Sequence, residues 1–291
     1  MSIARHLSLT LLLVAAPAFA QEKHQLRLRF VSGTVGHFVL EQNMDMSMNM
    51  GGQDMGTKMH MEMFMTTTVG KVEGDTAELE QEITRIKVEM NNPMMGKVNY
   101  DSAVEDSDPG MLTGIADLVG MKAKLKINDR GKPVDIKVEG EGAEAAMGQV
   151  DLKQMVSQSL VMLPDAPVGI NETWDSKTKM PMGQMGEMEA SVTNKLLSVD
   201  KDTFSVEQVM KIDAEKVEVP GGMKIESMDM KGTSKVDLRT GMPMEMNNEM
   251  KMKMAGAMAM SMTIKQSIKA APAPEKKPAE AAEPAKTGGG K

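Results

Sequence analysis

The chain contains no cysteine. Small exported domains often rely on disulfides; this one cannot, so burial has to stabilise it. Aromatic residues are scarce, at 2% of the chain, with one Trp, one Tyr and five Phe. Nucleic-acid binding needs a basic patch with stacking aromatics, whereas here the formal net charge is −7 and the lysines are scattered. No nucleic-acid partner is expected. Past the first twenty residues no apolar run is long enough for a membrane-crossing helix, so no transmembrane segment is expected either. The sequence has no G-x-S-x-G, no H-E-x-x-H and no phosphate-binding glycine loop. After residue 20 the histidines are His24, His37 and His60. No enzyme, no catalytic residue and no cofactor are expected.

The N-terminus has the form of an export leader. Arg5 gives a short positive region, Leu7 to Ala16 is apolar, and Ala18-Phe19-Ala20 is a small-residue cleavage site. Residues 1–20 are read as a signal peptide and the mature chain as periplasmic or secreted. No cysteine follows the cleavage site to carry a lipid anchor.

The abundant residue is methionine, 35 in all. It stands where alternation requires an inward apolar side chain. Leu26, Leu28 and Phe30 read as one strand of period two. Phe38, Leu40, Met44, Met46, Met48 and Met50 follow, then a Gly51-Gly52 turn, then Met59, Met61, Met63 and Met65. Apolar parity switches between Ile83 and Ile86, which predicts a bulge near Thr84-Arg85. Ala123, Leu125 and Ile127 should pair with Val134, Ile136 and Val138 across a glycine turn. Further strands are expected at 188–199, 203–212 and 225–238. From Met242 to Ile268 the even positions are nearly all apolar, which predicts one long curved strand.

Two short helices are expected. One opens at Asp108-Pro109, a capping residue and a first-turn proline, and carries Met111, Leu112, Ile115, Leu118 and Val119 on one face. The other runs from Val150 to Leu163 and stops at Pro164. The predicted fold is mainly β: a large curved antiparallel sheet, half-barrel-like, with both helices packed on its apolar face. The β domain covers 21–269, and its pattern divides into halves at 25–139 and 169–269. Residues 270–291, rich in Ala, Pro, Glu and Lys, should form a disordered tail.

Methionine is flexible and polarisable, and its thioether is a soft ligand. Packing alone explains an inward methionine. A methionine-lined sheet face also suits an apolar small molecule, a lipid or a lipoprotein. The candidate face comprises Met44, Met46, Met48, Met59, Met61, Met63, Met65, Met244, Met246, Met250, Met252, Met254, Met258 and Met260. The alternative is Cu(I) or Ag(I) held by thioethers, with Met59, Met61, Met63, Met252 and Met254 as ligands. Alternation puts His60 on the face opposite Met59 and Met61, so a mixed Met/His site does not form there. Oxidant scavenging by exposed methionines is a weaker reading, because alternation turns most of them inward. Glu78, Glu80 and Glu82 share one strand face and read as solvated.

Lys122 to Glu139, Leu163-Pro164-Asp165-Ala166-Pro167-Val168-Gly169-Ile170-Asn171-Glu172-Thr173-Trp174 and the turn Arg239-Thr240-Gly241-Met242-Pro243 resemble an uncharacterised family of exported bacterial proteins of unknown function. That resemblance covers most of 24–268 and supplies no catalytic residues. The strand–helix–hairpin order is similar to the half-barrel of periplasmic lipoprotein carriers. That is a likeness of fold, and function does not follow from fold.

Overall fold

The computed structural model describes residues 22–50, 53–94, 96–139, 160–181, 187–212, 224–256 and 259–273. The leader, Met258 and most of the C-terminal tail lie outside them. So does the proposed helix at 150–163 up to residue 159, and residues 160–163 are not helical.

The strands follow the alternation. They are β1 (Lys23–His24), β2 (Val35–Met50), β3 (Gln53–Glu73), β4 (Thr76–Asn92), β5 (Gly96–Asp101), β6 (Lys122–Asn128), β7 (Pro133–Glu139), β8 (Val168–Gly169), β9 (Thr173–Pro181), β10 (Glu187–Val199), β11 (Thr203–Ile212), β12 (Lys224–Asp237), β13 (Pro243–Ala255) and β14 (Ala259–Ala270). Except for β1 and β8, which pair with each other, they form one antiparallel sheet of order β7-β6-β4-β3-β2-β14-β13-β12-β11-β10-β9, with β5 added beside β4. Among the described residues the sheet does not close: β7 and β9 are its two ends. Two consecutive meanders meet where β2 pairs with β14, from Phe38 opposite Ala270 to Asn49 opposite Ala259.

The predicted bulge is present. Phe64 faces Arg85 and Met65 faces Ile83, leaving Thr84 extra, and its Oγ1 donates to the Phe64 carbonyl at 3.2 Å. The β6–β7 hairpin also forms, though Ile127 faces Pro133 rather than Val134, which is exposed. Asn128 Oδ1 accepts from the backbone N–H groups of Arg130 and Lys132, and Gly131 turns the chain at φ +73°. A Cβ at Gly131 would lie 2.5 Å from the Val161 carbonyl oxygen, so glycine is required there both for its conformation and for space.

Three expectations are corrected. The stretch 242–268 is a hairpin, β13 and β14, bent at Gly256. Met254 faces Met260 and Met252 faces Met262, so even residues pair with even ones. A turn in that register preserves parity, and the apolar pattern alone cannot tell it from one long strand. Second, residues 25–31 alternate as read but join no ladder among the described residues. The segment is an extended tie whose Leu28 N–H donates to the Asp129 carbonyl at 2.7 Å and whose Arg29 N–H donates to the Leu238 carbonyl at 2.6 Å. Third, the described residues contain one short helix rather than two. A 3₁₀ turn at Gly110–Leu112 leads into α1 (Thr113–Ala116). Asp108 Oδ1 accepts the Gly110 N–H at 2.8 Å, as a residue opening that turn should.

The tie and the helical turn cover one end of the apolar face. Leu26, Leu28, Leu112, Leu118, Leu160, Val161 and Leu163 pack there against Met63, Leu79, Ile86, Val206 and Met246. Trp174 Nε1 donates to the Met162 carbonyl at 2.8 Å and anchors the 160–163 segment to β9.

Candidate functional site

The ladder registers divide this face into bands that run across the strands. At the edge of the covered end is a band of Leu196, Val206, Ser234, Met246, Ile268, Leu40, Met63 and Ile86, each facing the next on the neighbouring strand. Met63 is 1% exposed. Met61, Met63, Met65 and Met246 are core side chains within the covered cluster.

The next band is polar. Asn194, Gln208, Gly232, Asn248, Gln266 and Gln42 face one another in turn from β10 to β2. Gln208 Nε2 donates to Asn194 Oδ1 at 3.0 Å, Ser234 Oγ donates to Gln208 Oε1 at 3.3 Å, and Gln266 Nε2 donates to Gln42 Oε1 at 2.9 Å. Asn194 Nδ2 also reaches Ser176 Oγ at 3.2 Å. Asn248 is the break in this series. Its Oδ1 is buried, and among the described residues no donor reaches it. The amide lies over Gly232, where an added Cβ would fall 1.8 Å from that oxygen.

Beyond the amides lies a methionine field. Val192, Met210, Met230, Met250, Ile264, Met44, Met59 and Met90 form its first band. Met228, Met252, Met262 and Met46 form the second, and Ile225, Met254, Met260, Met48 and Met55 the third. Met210, Met228, Met252 and Met254 are buried in a cluster of their own, apart from the covered end. Met44, Met46, Met48, Met59, Met250 and Met260 are half-buried. Met244 is half-buried next to the bulge in the β12–β13 pairing.

The structure thus brings most of the predicted methionines onto one face but sorts them into packed and half-buried groups. It does not bring together the five proposed metal ligands. Met59, Met61 and Met63 stand on β3 and Met252 and Met254 on β13, with β2 and β14 between them. Met55, Met90, Met210, Met228, Met230 and Met262 join the field although the sequence did not place them in the site. The amide band was missed as well. Its signal was a polar residue at an apolar parity: Gln42 between Leu40 and Met44, Asn248 between Met246 and Met250, and Gln266 between Ile264 and Ile268.

The opposite face is charged and internally paired. Lys87 lies 2.8 Å from Glu62 and holds its carboxyl below the usual carboxylate range. His37 pairs with Thr66 and His60 with Asn43, both at 3.0 Å. Glu78, Glu80 and Glu82 face Lys126, Lys124 and Lys122 of β6, and Lys122 bridges Glu80 at 3.0 Å and Glu82 at 3.5 Å. These carboxylates belong to a cross-strand charge ladder. A groove of about 800 Å³ on this face mixes both signs, with Asp45, Glu89, Lys58 and Lys97 on its walls. Among the described residues no three metal-ligating His, Asp or Glu side chains converge.

Residues 140–243 match a family of unknown function (DUF6263). The matched span contains the Leu163–Trp174 segment and the Arg239–Pro243 turn that carried the family resemblance. No curated protein matches the chain. Among solved structures, lipovitellin, studied for its lipid–protein interactions, is similar with a TM-score of 0.52 and 11% identity over 86% of this chain. The chain spans 27% of the lipovitellin chain. An outer membrane lipoprotein-sorting protein domain from Vibrio parahaemolyticus matches at TM-score 0.17 and 10% identity, covering 83% of this chain and 88% of that one. DynF from the dynemicin biosynthesis pathway of Micromonospora chersina matches at TM-score 0.26 and 7% identity, covering 85% of each chain. The fold likeness rests on lipovitellin. No helix among the described residues is long and apolar enough to cross a membrane.

Proposed function

We propose that this is an exported, non-enzymatic protein that binds an apolar ligand, the acyl part of a lipid or lipoprotein, across its methionine field. The observation that carries the reading is the continuity of the half-buried methionines. Met44, Met46 and Met48 run down β2 beside Ile264, Met262 and Met260 on β14, with no charged residue among them. Large apolar patches on one face mark interaction sites, and flexible thioethers adapt to chains of varied shape. The sheet likeness to lipovitellin, a protein described by its lipid–protein interactions, supports the same reading. Export is supported by the leader pattern at residues 1–20.

The test uses native mass spectrometry of the protein purified gently from the envelope of its source cell. A lipid-sized adduct is expected. The double variant Met46→Glu/Met262→Glu should lose it, because two carboxylates would be desolvated beneath the chain. Met46→Leu/Met262→Leu should keep it, since Leu preserves volume and apolarity. A bare protein mass in the wild type, or an adduct that survives both glutamates, overturns the proposal.

A second reading has one specific observation behind it. Met260 on β14 faces Met254 on one neighbouring strand and Met48 on the other, and directly facing residues bring Cβ atoms to about 4.5–5.5 Å. Three thioethers at that spacing suit Cu(I) or Ag(I). Met260→Leu would abolish silver binding in a titration and leave the lipid adduct in place.

A further inference from the structure

The amide band lies between the packed end of the sheet and the methionine field, on a face that is mostly apolar; Asn194 is buried and the other amides are half-buried. Buried amides are kept where they are fully hydrogen-bonded or where a partner arrives from elsewhere. Asn194, Gln208 and Ser234 satisfy one another on one side, and Gln266 and Gln42 do so on the other. Asn248 stands between the two groups with a buried oxygen that accepts nothing among the described residues. Leaving a buried acceptor unpaired is unfavourable, and Gly232 preserves the space that holds this amide in place.

We infer that the ligand is an acyl lipid whose polar linkage carries one hydrogen-bond donor, an amide N–H or a hydroxyl, and that the Asn248 amide turns off Gly232 so that its Oδ1 accepts this donor while the chain lies along the methionines. This rests on the proposed lipid-binding function and names the ligand's chemistry. From Asn248 to Met254 the β13 backbone extends about 20 Å at ~3.4 Å per residue. Along that length the inward residues are Met250, Met252 and Met254. The polar end of the ligand is thereby fixed beside the covered end of the sheet, and its tail points toward Met254, Met260 and Met48. A hydrocarbon without a donor would gain nothing at Asn248, so the band favours a ligand that carries one.

Two probes of nearly equal shape separate these cases. N-methyldodecanamide offers an N–H next to its chain, whereas methyl dodecanoate offers only acceptors. Titrated into the full mature protein, the amide should bind about tenfold more tightly than the ester, the worth of one buried hydrogen bond. Asn248→Ala removes the acceptor without adding volume and should bring the two affinities together by weakening the amide alone. Equal affinities in the wild type, or a preference that survives Asn248→Ala, overturn the inference and leave the lipid-binding reading standing. Failure of both probes to bind the wild type overturns both.

Discussion

Individual side chains on the sheet's apolar face do different work at the same parity. Met63, buried among Leu40, Ile86 and the covering segments, is part of the core. Truncating it leaves a cavity, and Met63→Ala should destabilise the fold by about 2–5 kcal/mol in urea unfolding. Met48 is half-buried at the far edge of the field, and Met48→Ala should cost well under half of that. Equal losses at the two positions would contradict the division into packed and half-buried methionines. Gly232 presents the opposite case. A methyl group there meets Asn248 Oδ1 and, at 2.5 Å, the Asn247 carbonyl oxygen, which is backbone and cannot swing away. Gly232→Ala should therefore destabilise by about 1–3 kcal/mol, and pairing it with Asn248→Ala should recover only part of the loss. A thermal melt of the two variants checks this.

At the scale of elements, most strands were legible because one face of each is buried and the other wet, which is what alternation records. β10, β11 and β12 begin and end within a residue or two of the expected spans. The bulge at Thr84 was legible for the same reason, since an extra residue must invert parity. What alternation cannot encode is pairing. Residues 25–31 alternate because an extended chain lies on a core, not because a partner strand exists, and β13 with β14 keep one parity through their turn. The helix at 113–116 is shorter than its apolar spacing suggested, because Gly120 at φ +83° turns the chain back onto β4, where its N–H donates to the Ile83 carbonyl at 2.8 Å. The β5 element makes a pH prediction. Arg85 binds both carboxylate oxygens of Asp101, at 2.9 and 2.6 Å, joining the end of β5 to β4. The guanidinium holds the Asp101 carboxyl below its ordinary value. A depressed folded value means the contribution is fully present above the unfolded aspartate value near 3.9 and is lost as pH falls through the folded one. Arg85 is partly exposed, so the pair is worth about 1 kcal/mol at most. Asp101→Asn should lower stability at pH 7 by that amount and make no difference at the acid end of a pH series of unfolding midpoints.

For the molecule as a whole, the question is why two meanders behave as one sheet. Their ladder contact is the β2–β14 pairing, which closes a loop of most of the chain and is entropically unfavourable to form. The tie at 25–31 supplies a second connection. Leu28 is buried, its N–H is held by the β6–β7 turn of the first meander, and the next N–H is held by the β12–β13 turn of the second. Leu26 and Leu28 pack in the one cluster that contains Leu125 and Ile127 from the first meander and Val236 and Leu238 from the second. Breaking the tie should therefore weaken both meanders together. The expected result for Leu28→Asp, which places an unpaired carboxylate in that cluster, is a lower urea midpoint at which Trp174 fluorescence, reporting on β9, and far-UV circular dichroism, reporting on the whole sheet, still coincide. If the fluorescence transition separated from the dichroism in the wild type, the two meanders would be independent units. The methionine field would then straddle a joint, because its first band runs from Val192 in one meander to Met90 in the other. A ligand seated along β13 lies in the second meander, so N-methyldodecanamide added to the same unfolding series should raise both midpoints together if the field is held as one surface, and the fluorescence midpoint alone if it is not.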